Sequence, residues 1–525
     1  MSANGRNRGY IGRNEITSPK GVIDGRQQYL NEEIRSYNYG TDWTRPADWL
    51  PIPGYTFGEQ VAYALVAVTN DELQSNSVGF SVAGNFIVDW GDGATGSFSS
   101  GTSVRRTYDY NTLSTSTITS EGFKQVLIKV TPQSGQNLTS LNFGNIAGIT
   151  TASTEMPSKW LELNFNVPNA TSLRFTTNSV SNSWIRKIFV NRCASGGIGG
   201  LGFVNLINLQ SLYLPPNAAT TNMTSMFQNT RKLKQLPQIT TQNDSPSVFQ
   251  NSGIEILPNW NYMSCTSLGR MAQTSAIKYV PFILSNTGFS NAATNEMFRD
   301  CRQLEYVKGI SFANMNSSNF MFYGCRALKQ IDVINLPRIL NMPSMFGDCF
   351  LLEKIGSFEG GTGIQSISQA FENCNLLKEA PRLDLRNCTN GYRAFNNCYS
   401  LETVPGYTFG NAANLQNMFA NCWSLKKLPQ MDFSNVNILD TGAGSGERFT
   451  FGCVALESFP VKNLRVSWNL SSSRFGFTAL SEVFAGLTGI SGPSATLNIT
   501  GNPGANFITA AQIAAATALG WTITR

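Results

Sequence analysis

From Phe298 to Leu425 one order of apolar and polar positions recurs. An apolar residue and a Phe are followed by two small or polar residues, a Cys, two variable residues and a Leu. The repeating sets are Phe298, Cys301 and Leu304; Phe322, Cys325 and Leu328; Phe346, Cys349 and Leu352; Phe371, Cys374 and Leu377; Phe395, Cys398 and Leu401; and Phe419, Cys422 and Leu425. Successive cysteines are 24, 24, 25, 24 and 24 residues apart. A fixed period in this range marks a stacked solenoid, in which each unit buries its apolar face only against its neighbours. Phe, Cys and Leu at a spacing of three are expected on one side of a single helical turn. The segment that follows, such as Leu425-Lys-Lys-Leu428-Pro429, is expected to be a strand stacked edge to edge with its neighbours.

The pattern continues upstream in degenerate form. Leu138-Thr-Ser-Leu141-Asn-Phe143, Leu173-Arg-Phe175, Ile185-Arg-Lys-Ile188-Phe-Val190 and Leu209-Gln-Ser-Leu212-Tyr-Leu214 each read as a coil, and Met226-Phe227 opens the regular series. Before them, residues 56–135 alternate like short strands: Val61–Val68, Phe86–Trp90, Val104–Tyr110 and Gln125–Val130. Residues 1–55 read as an irregular arm, because Pro46, Pro51 and Pro53 block regular structure while Tyr10, Tyr29, Tyr37, Tyr39, Trp43 and Trp49 are scattered along it. Those aromatics either order the arm against a partner or cover the next domain. At the other end, Gln512–Leu519 is a helix candidate and Gly520-Trp521-Thr-Ile-Thr a last strand, an atypical unit suited to closing a solenoid's open edge. The expected class is therefore mainly β: an arm over 1–55, a β-sandwich over 56–135, a solenoid with short helical turns over 136–500 and a C-terminal cap over 501–525. About fifteen coils at strand spacing give a rod on the order of 70 Å long.

Composition narrows the chemistry. The chain holds 525 residues and no histidine, which excludes Ser-His-Asp and Cys-His catalysis, His-ligated zinc and a His pH switch. Carboxylate-only and Lys-based enzymes pass that test. Lys and Arg are spread along the chain and the net charge is only +6, so no nucleic-acid stripe is expected. The densest basic stretch, Arg6, Arg8 and Arg13, reads either as a solvated tail or as an arm docking on an acidic partner. Seven of the ten cysteines, with Cys453 completing the series, hold one place in successive repeats; Thr230, Ser252 and Thr274 take that place in earlier ones. That substitution pattern points to small buried residues rather than disulfides or metal ligands. Gly196–Gly202 is glycine-rich but lacks the Lys-Ser/Thr of a phosphate loop, so a coil corner is expected. No secretory signal, membrane-spanning run or cofactor motif is read in the sequence.

Two resemblances add to this. Val88-Asp89-Trp90-Gly91-Asp92-Gly93, with Tyr108-Asp109-Tyr110 and Val126–Val130, resembles the PKD domain, an immunoglobulin-like β-sandwich. Where that family often has His before its last Tyr, this chain has Arg106. Asp89 and Asp92 are expected to cap the turn rather than hold calcium. The Met-Phe-x-x-Cys-x-x-Leu unit resembles the BspA-like leucine-rich repeat of bacterial surface proteins and phage virion proteins. Gly9-Tyr10-Ile11-Gly12-Arg13, followed by Gly21-Val22, is similar to N-terminal segments of virion proteins of aquatic phages.

Together they imply a non-enzymatic virion structural protein of a tailed bacteriophage, a capsid decoration or tail fibre. Arg6, Arg8, Tyr10, Ile11 and Arg13 would be its anchoring residues. The implied partners are other virion proteins of capsid or tail and a host-surface protein or glycan, with several copies on the particle, no nucleic acid and no membrane insertion. A bacterial surface adhesin and a glycan-degrading spike enzyme stand as alternatives; the enzyme would need two carboxylates across a groove. No coiled-coil or collagen-like shaft is present in the sequence, which favours a projection set directly on the particle. Tyr213, Tyr279 and Tyr306 are candidate contact aromatics.

Overall fold

The computed structural model of the chain describes residues 43–525 except 57, 72–75, 145–158, 176–183, 195, 199–201, 216–218, 221–222, 237–238, 242–244, 264, 288–293, 410–412, 439–448, 472 and 491–493. The chain divides into two units, Met1–Tyr39 and Gly40–Arg525; the first, with all five expected anchoring residues, lies outside the described residues.

Two sheets begin the second unit. Strand β1 (Val61–Val68) is buried at every position. It pairs antiparallel with β6 (Lys124–Pro132) on one side and β8 (Trp160–Asn166) on the other. Its Ala62, Ala64, Val66 and Val68 face the main core, while Leu65 and Ala67 join a second cluster with Trp49, Phe123 and Leu161. This explains why β1 is a continuous apolar run rather than an alternating one: both of its faces are covered. The cover includes residues 43–50. Arg45 Nε donates to Glu162 at 2.5 Å, and its guanidinium also donates to the carbonyls of Trp49 and Leu50. A boundary at 55 therefore falls inside packed structure, and Trp43 and Trp49 serve the neighbouring sheet.

The same sheets cross the expected boundary at 135. With β2 (Ser77–Ala83), β3 (Phe86–Asp89), β4 (Thr95–Phe98), β5 (Ser103–Thr107), β7 (Ser140–Asn142), β9 (Ser172–Arg174), β10 (Lys187–Arg192) and β11 (Ser211–Tyr213), the strand orders are β11-β10-β8-β1-β6-β3-β4 and β5-β2-β7-β9. In each sheet one early strand pairs antiparallel with the first solenoid strand, β1 with β8 and β2 with β7; from there on the pairing is parallel. Edge pairing has replaced a linker, so the first solenoid strands are not open edges. Aromatic packing runs through the junction: Phe80 stacks on Phe143 at 4.9 Å, then Phe143, Phe165, Phe175, Phe203 and Phe227 follow at 5.2–5.5 Å.

The repeat turn is not helical. Met297 N–H bonds to Thr294 O, Arg299 to Glu296 O and Cys301 to Phe298 O, three interleaved turns. Glu296 and Asp300 have φ of 59° and 56°. Positive φ at the third residue is the mark of a type II turn and rules out an α-helical turn. The alternate amides of Glu296, Phe298 and Asp300 then point along the stack, to the carbonyls of Asn319, Met321 and Tyr323 in the next coil. The residue before each Cys sits in the left-handed region: Asp300, Gly324, Asp348, Asn373, Asn397, Asn421 and Gly452. Asn, Asp and Gly are the residues that tolerate it. At Gly324 a second constraint applies, because a Cβ there would lie 2.6 Å from Asp300 Oδ1. Thr274 takes this left-handed position, so the residue matching the cysteines in its coil is Ser275, not Thr274.

Regular strands occupy only part of the solenoid. Tyr279–Asn286, Tyr306–Phe312, Gln330–Leu336 and Lys354–Gly360 form one parallel sheet, with a register shift next to Pro281. Beyond it the coils carry Pro381, Pro405 and Pro429, and single bridges such as Glu379 to Thr403 replace the ladder. Proline supplies no N–H, so at Pro381, Pro405 and Pro429 the ladder is interrupted and neighbouring coils meet through isolated bridges. At the end, Trp468–Asn469, Ala495–Asn498 and Trp521–Thr524 form a parallel sheet that crosses position 500. Helices α1 (Phe477–Ala485) and α2 (Ala510–Ala518) accompany it, α2 opening on a reciprocal Thr509–Gln512 capping box.

The repeat core is a set of ladders. Phe298, Phe322, Phe346, Phe371, Phe395 and Phe419 stack face to face at 5.1–5.4 Å within 13° of parallel. Phe371→Ala removes one ring from contact with both neighbours, Phe346 and Phe395. It is expected to cost about 3–5 kcal/mol, read as a lower urea midpoint.

Candidate contact surfaces of the solenoid

Every residue in the repeat core set is buried: Phe, Cys and Leu of all six units. They build the scaffold and present nothing to a partner. All ten cysteines are buried and free. Each ladder thiol donates to a carbonyl one coil earlier: Cys301 to Ala272 O at 2.9 Å, Cys325 to Phe298 O at 3.1 Å, then Cys349, Cys374, Cys398 and Cys422 to Phe322, Phe346, Phe371 and Phe395 O at 3.2 Å, and Cys453 to Phe419 O at 2.9 Å. The sulfur is thus a donor between coils as well as a small filler. Burial pushes the Cys301 thiol up to about 12 and lifts Cys325, Cys349, Cys374, Cys398 and Cys422 above their ordinary range.

Asp348, Asn373, Asn397 and Asn421 make a parallel ladder, each amide donating to the previous side-chain oxygen at 2.7–2.8 Å. The first residue after each Leu forms another. Lys234, Glu255, Lys278, Glu305, Lys329, Glu353, Lys378, Glu402, Lys426 and Glu457 alternate in sign from coil to coil. Ion pairs join Lys278 to Glu255 at 2.9 Å and Lys329 to Glu305 at 2.6 Å. Exposed pairs of this kind add little stability each. Their alternation does keep this edge free of net charge.

The two residues between Cys and Leu point outward because both flanking side chains are buried. In chain order they are Arg302-Gln303, Arg326-Ala327, Phe350-Leu351, Asn375-Leu376, Tyr399-Ser400, Trp423-Ser424 and Val454-Ala455. The stripe passes from basic to apolar. Arg326 lies over the Phe350 ring at 5.5 Å, and Tyr399 stacks on Trp423 at 4.2 Å. Leu351, Leu376, Trp423 and Val454 remain 40%, 37%, 51% and 52% exposed. Exposed Trp, Tyr and Arg in one contiguous row are the residues that dominate protein contacts.

Other expected sites fall elsewhere. Tyr279 and Tyr306 are buried, and the Tyr306 hydroxyl donates to Asp332 at 2.6 Å; Tyr213 alone of the three is exposed, stacked on Phe189. Asp89 and Asp92 accept from the amides of Gly91 and Ala94 at 2.9 and 3.2 Å, as turn caps do, and Arg106 pairs with Asp92. Gly197 lies against Ala170 O, the close approach of a coil corner.

Residues 294–402 and 343–462 match the family model of the BspA type leucine-rich repeat region, in six copies. Among solved structures, the chain is similar to a leucine-rich repeat protein from Eubacterium ventriosum ATCC 27560, with 16% identity over 58% of this chain and 82% of that one and a TM-score of 0.29. It is also similar to the plant peptide hormone receptor RGFR1 in complex with RGF2 (12% identity, 67% and 69% coverage, TM-score 0.23). A third is the TLR13–ssRNA13 complex (12%, 74% and 62%, TM-score 0.24). No curated protein matches the chain.

Proposed function

With residues 294–462 forming a BspA-type leucine-rich repeat region, we propose that the chain is a non-enzymatic virion structural protein of a tailed phage, a projecting decoration or fibre protein. Its N-terminal arm, through Arg6, Arg8, Tyr10, Ile11 and Arg13, anchors it to capsid or tail proteins. Its solenoid meets a host-surface protein along the stripe from Arg302 to Val454. The observation that carries this reading is the stripe: Trp423 is half exposed on a rigid row of aromatic and aliphatic side chains. The arrangement supports contact rather than chemistry, because the thiols are buried donors. The phage assignment rests on the resemblance of Gly9–Arg13 and of the repeat unit. We read residues 56–135 as a PKD-like module on the strength of the Val88–Gly93 turn.

Immunoelectron microscopy with antibodies to residues 1–20 and to α2 tests it on purified particles. Labelling by the α2 antibody on intact virions is expected, with residues 1–20 shielded. Labelling confined to a bacterial envelope would replace the virion with the adhesin.

A further inference from the structure

Two coils break the spacing of the outward stripe. Thr230 to Leu233 and Cys301 to Leu304 keep three steps, but Ser252-Gly253-Ile254 and Ser275-Ala276-Ile277 take two. Each has lost one outward residue, and what remains is Gly or Ala. The shortened backbone draws in: Gly253 N–H bonds to Thr230 O at 3.0 Å and Ala276 N–H to Ser252 O at 2.9 Å. A Cβ on Gly253 would lie 2.1 Å from the Arg231 carbonyl oxygen, so only glycine fits. The result is a cleft of 460 Å³, two coils wide, in the size range of ligand sites.

Its ends are cationic and its floor polar. Arg231 stands on the coil before the cleft and Arg302 on the coil after it. Three coil spacings separate them, about 14 Å at ordinary strand spacing. Neither guanidinium is in an ion pair with a described carboxylate. The Asn251 side-chain amide, which donates to Asn229 Oδ1 at 2.6 Å, lies 3.0 and 3.3 Å from the Arg231 guanidinium at the rim of the cleft. Between the ends lie the Thr274 hydroxyl, the Gln303 amide and the Asp300 carboxylate, and the buried Ser252 hydroxyl has no partner.

We propose that this cleft binds an acidic oligosaccharide, its carboxylates on Arg231 and Arg302 and its hydroxyls on the amide, hydroxyl and carboxylate groups between. A guanidinium at each end selects negative charge there. The Asp300 carboxylate between them, 3.5 Å from the Arg299 guanidinium on its own coil, keeps acceptor capacity that sugar hydroxyls can fill. With Ala276 the one apolar side chain in the lining, the cleft offers no purchase for a peptide's hydrophobic anchor. The inference deepens the contact reading by assigning a glycan to a second place on the same face.

The test is isothermal titration of the full chain with trigalacturonate and with its carboxyl-reduced trisaccharide. The expected result is at least tenfold tighter binding of the acidic sugar, weakened by salt and lost at least tenfold in the Arg231→Ala/Arg302→Ala double variant but not in Trp423→Ala. Equal binding of the neutral sugar, unchanged binding by the double variant, equal competition by tri-glutamate, or no binding by the native chain would overturn it. A native chain that ignores trigalacturonate while Trp423→Ala loses host-cell binding removes the cleft and leaves the contact reading standing. Trigalacturonate binding with normal host-cell binding by Trp423→Ala does the reverse.

Discussion

A chain that begins at residue 136 is expected to be insoluble, although the repeats alone suggest an independent solenoid. The cut removes β1, β2 and β6. Strand β8 then loses its antiparallel partner along Val61–Val66, and β7 loses Ser81–Ala83. Trp160, Leu163 and Phe165 of β8, and Phe143 after β7, lose the cover of Phe80, Ala62, Ala64 and Val66. Both sheets would then end in unpaired, apolar strands, the geometry that promotes edge-to-edge association. Expression of residues 136–525 beside residues 40–525, with soluble fraction and light scattering measured, checks this. A monomeric, folded 136–525 fragment would show that the two sheets only abut.

Alkali is expected to unfold the protein near pH 10 in the presence of reductant. The sign follows from the raised thiols. Burial holds the folded-state pKa of Cys301, Cys325, Cys349, Cys374, Cys398 and Cys422 well above that of an unfolded cysteine. A raised pKa contributes stability that is fully present below the unfolded value, about 8.5, and is lost as pH rises toward the folded value. Each thiol then withdraws about 1.4 kcal/mol per pH unit, so six withdraw roughly 12 kcal/mol by pH 10, comparable to the whole stability of many proteins. Urea midpoints at pH 7, 8.5, 9.5 and 10 measure the slope. Replacing Cys349 and Cys374 by Ala should flatten it by roughly 3 kcal/mol per pH unit; a slope indifferent to these cysteines would mean that their thiolates are accommodated in the fold.

The strict period between Phe298 and Leu425 made the solenoid, the buried cysteines and the coil spacing legible, because stacking identical units leaves identical side chains in register. The turn departs from the helical expectation for a physical reason. A spacing of three is shared by a helical turn and by successive type II turns, and the deciding signal is Asn, Asp or Gly before each Cys. The Leu-x-x-Val-Pro segments read as strands from their apolar spacing, and the missing N–H of Pro381, Pro405 and Pro429 interrupts the ladder there. The alternating Lys and Glu after each Leu were visible in the sequence, yet their pairing runs between residues more than twenty positions apart. The outward stripe was equally visible as the two residues between Cys and Leu. Recognising it required knowing that both flanking residues are buried. What lay beyond sequence reasoning was the junction at 135, since β1 and β8 pair across a long excursion of the chain.

Hydroxyl-radical footprinting of the protein, free and bound to host cells, tests the contact surface most directly. Protection of Phe350, Leu351, Tyr399 and Trp423 on binding, with Ile87 and Phe507 unchanged, is the expected result. Protection confined to the Lys/Glu ladder or to the sheet of residues 279–360, with Trp423 still oxidised at its free rate, would contradict it.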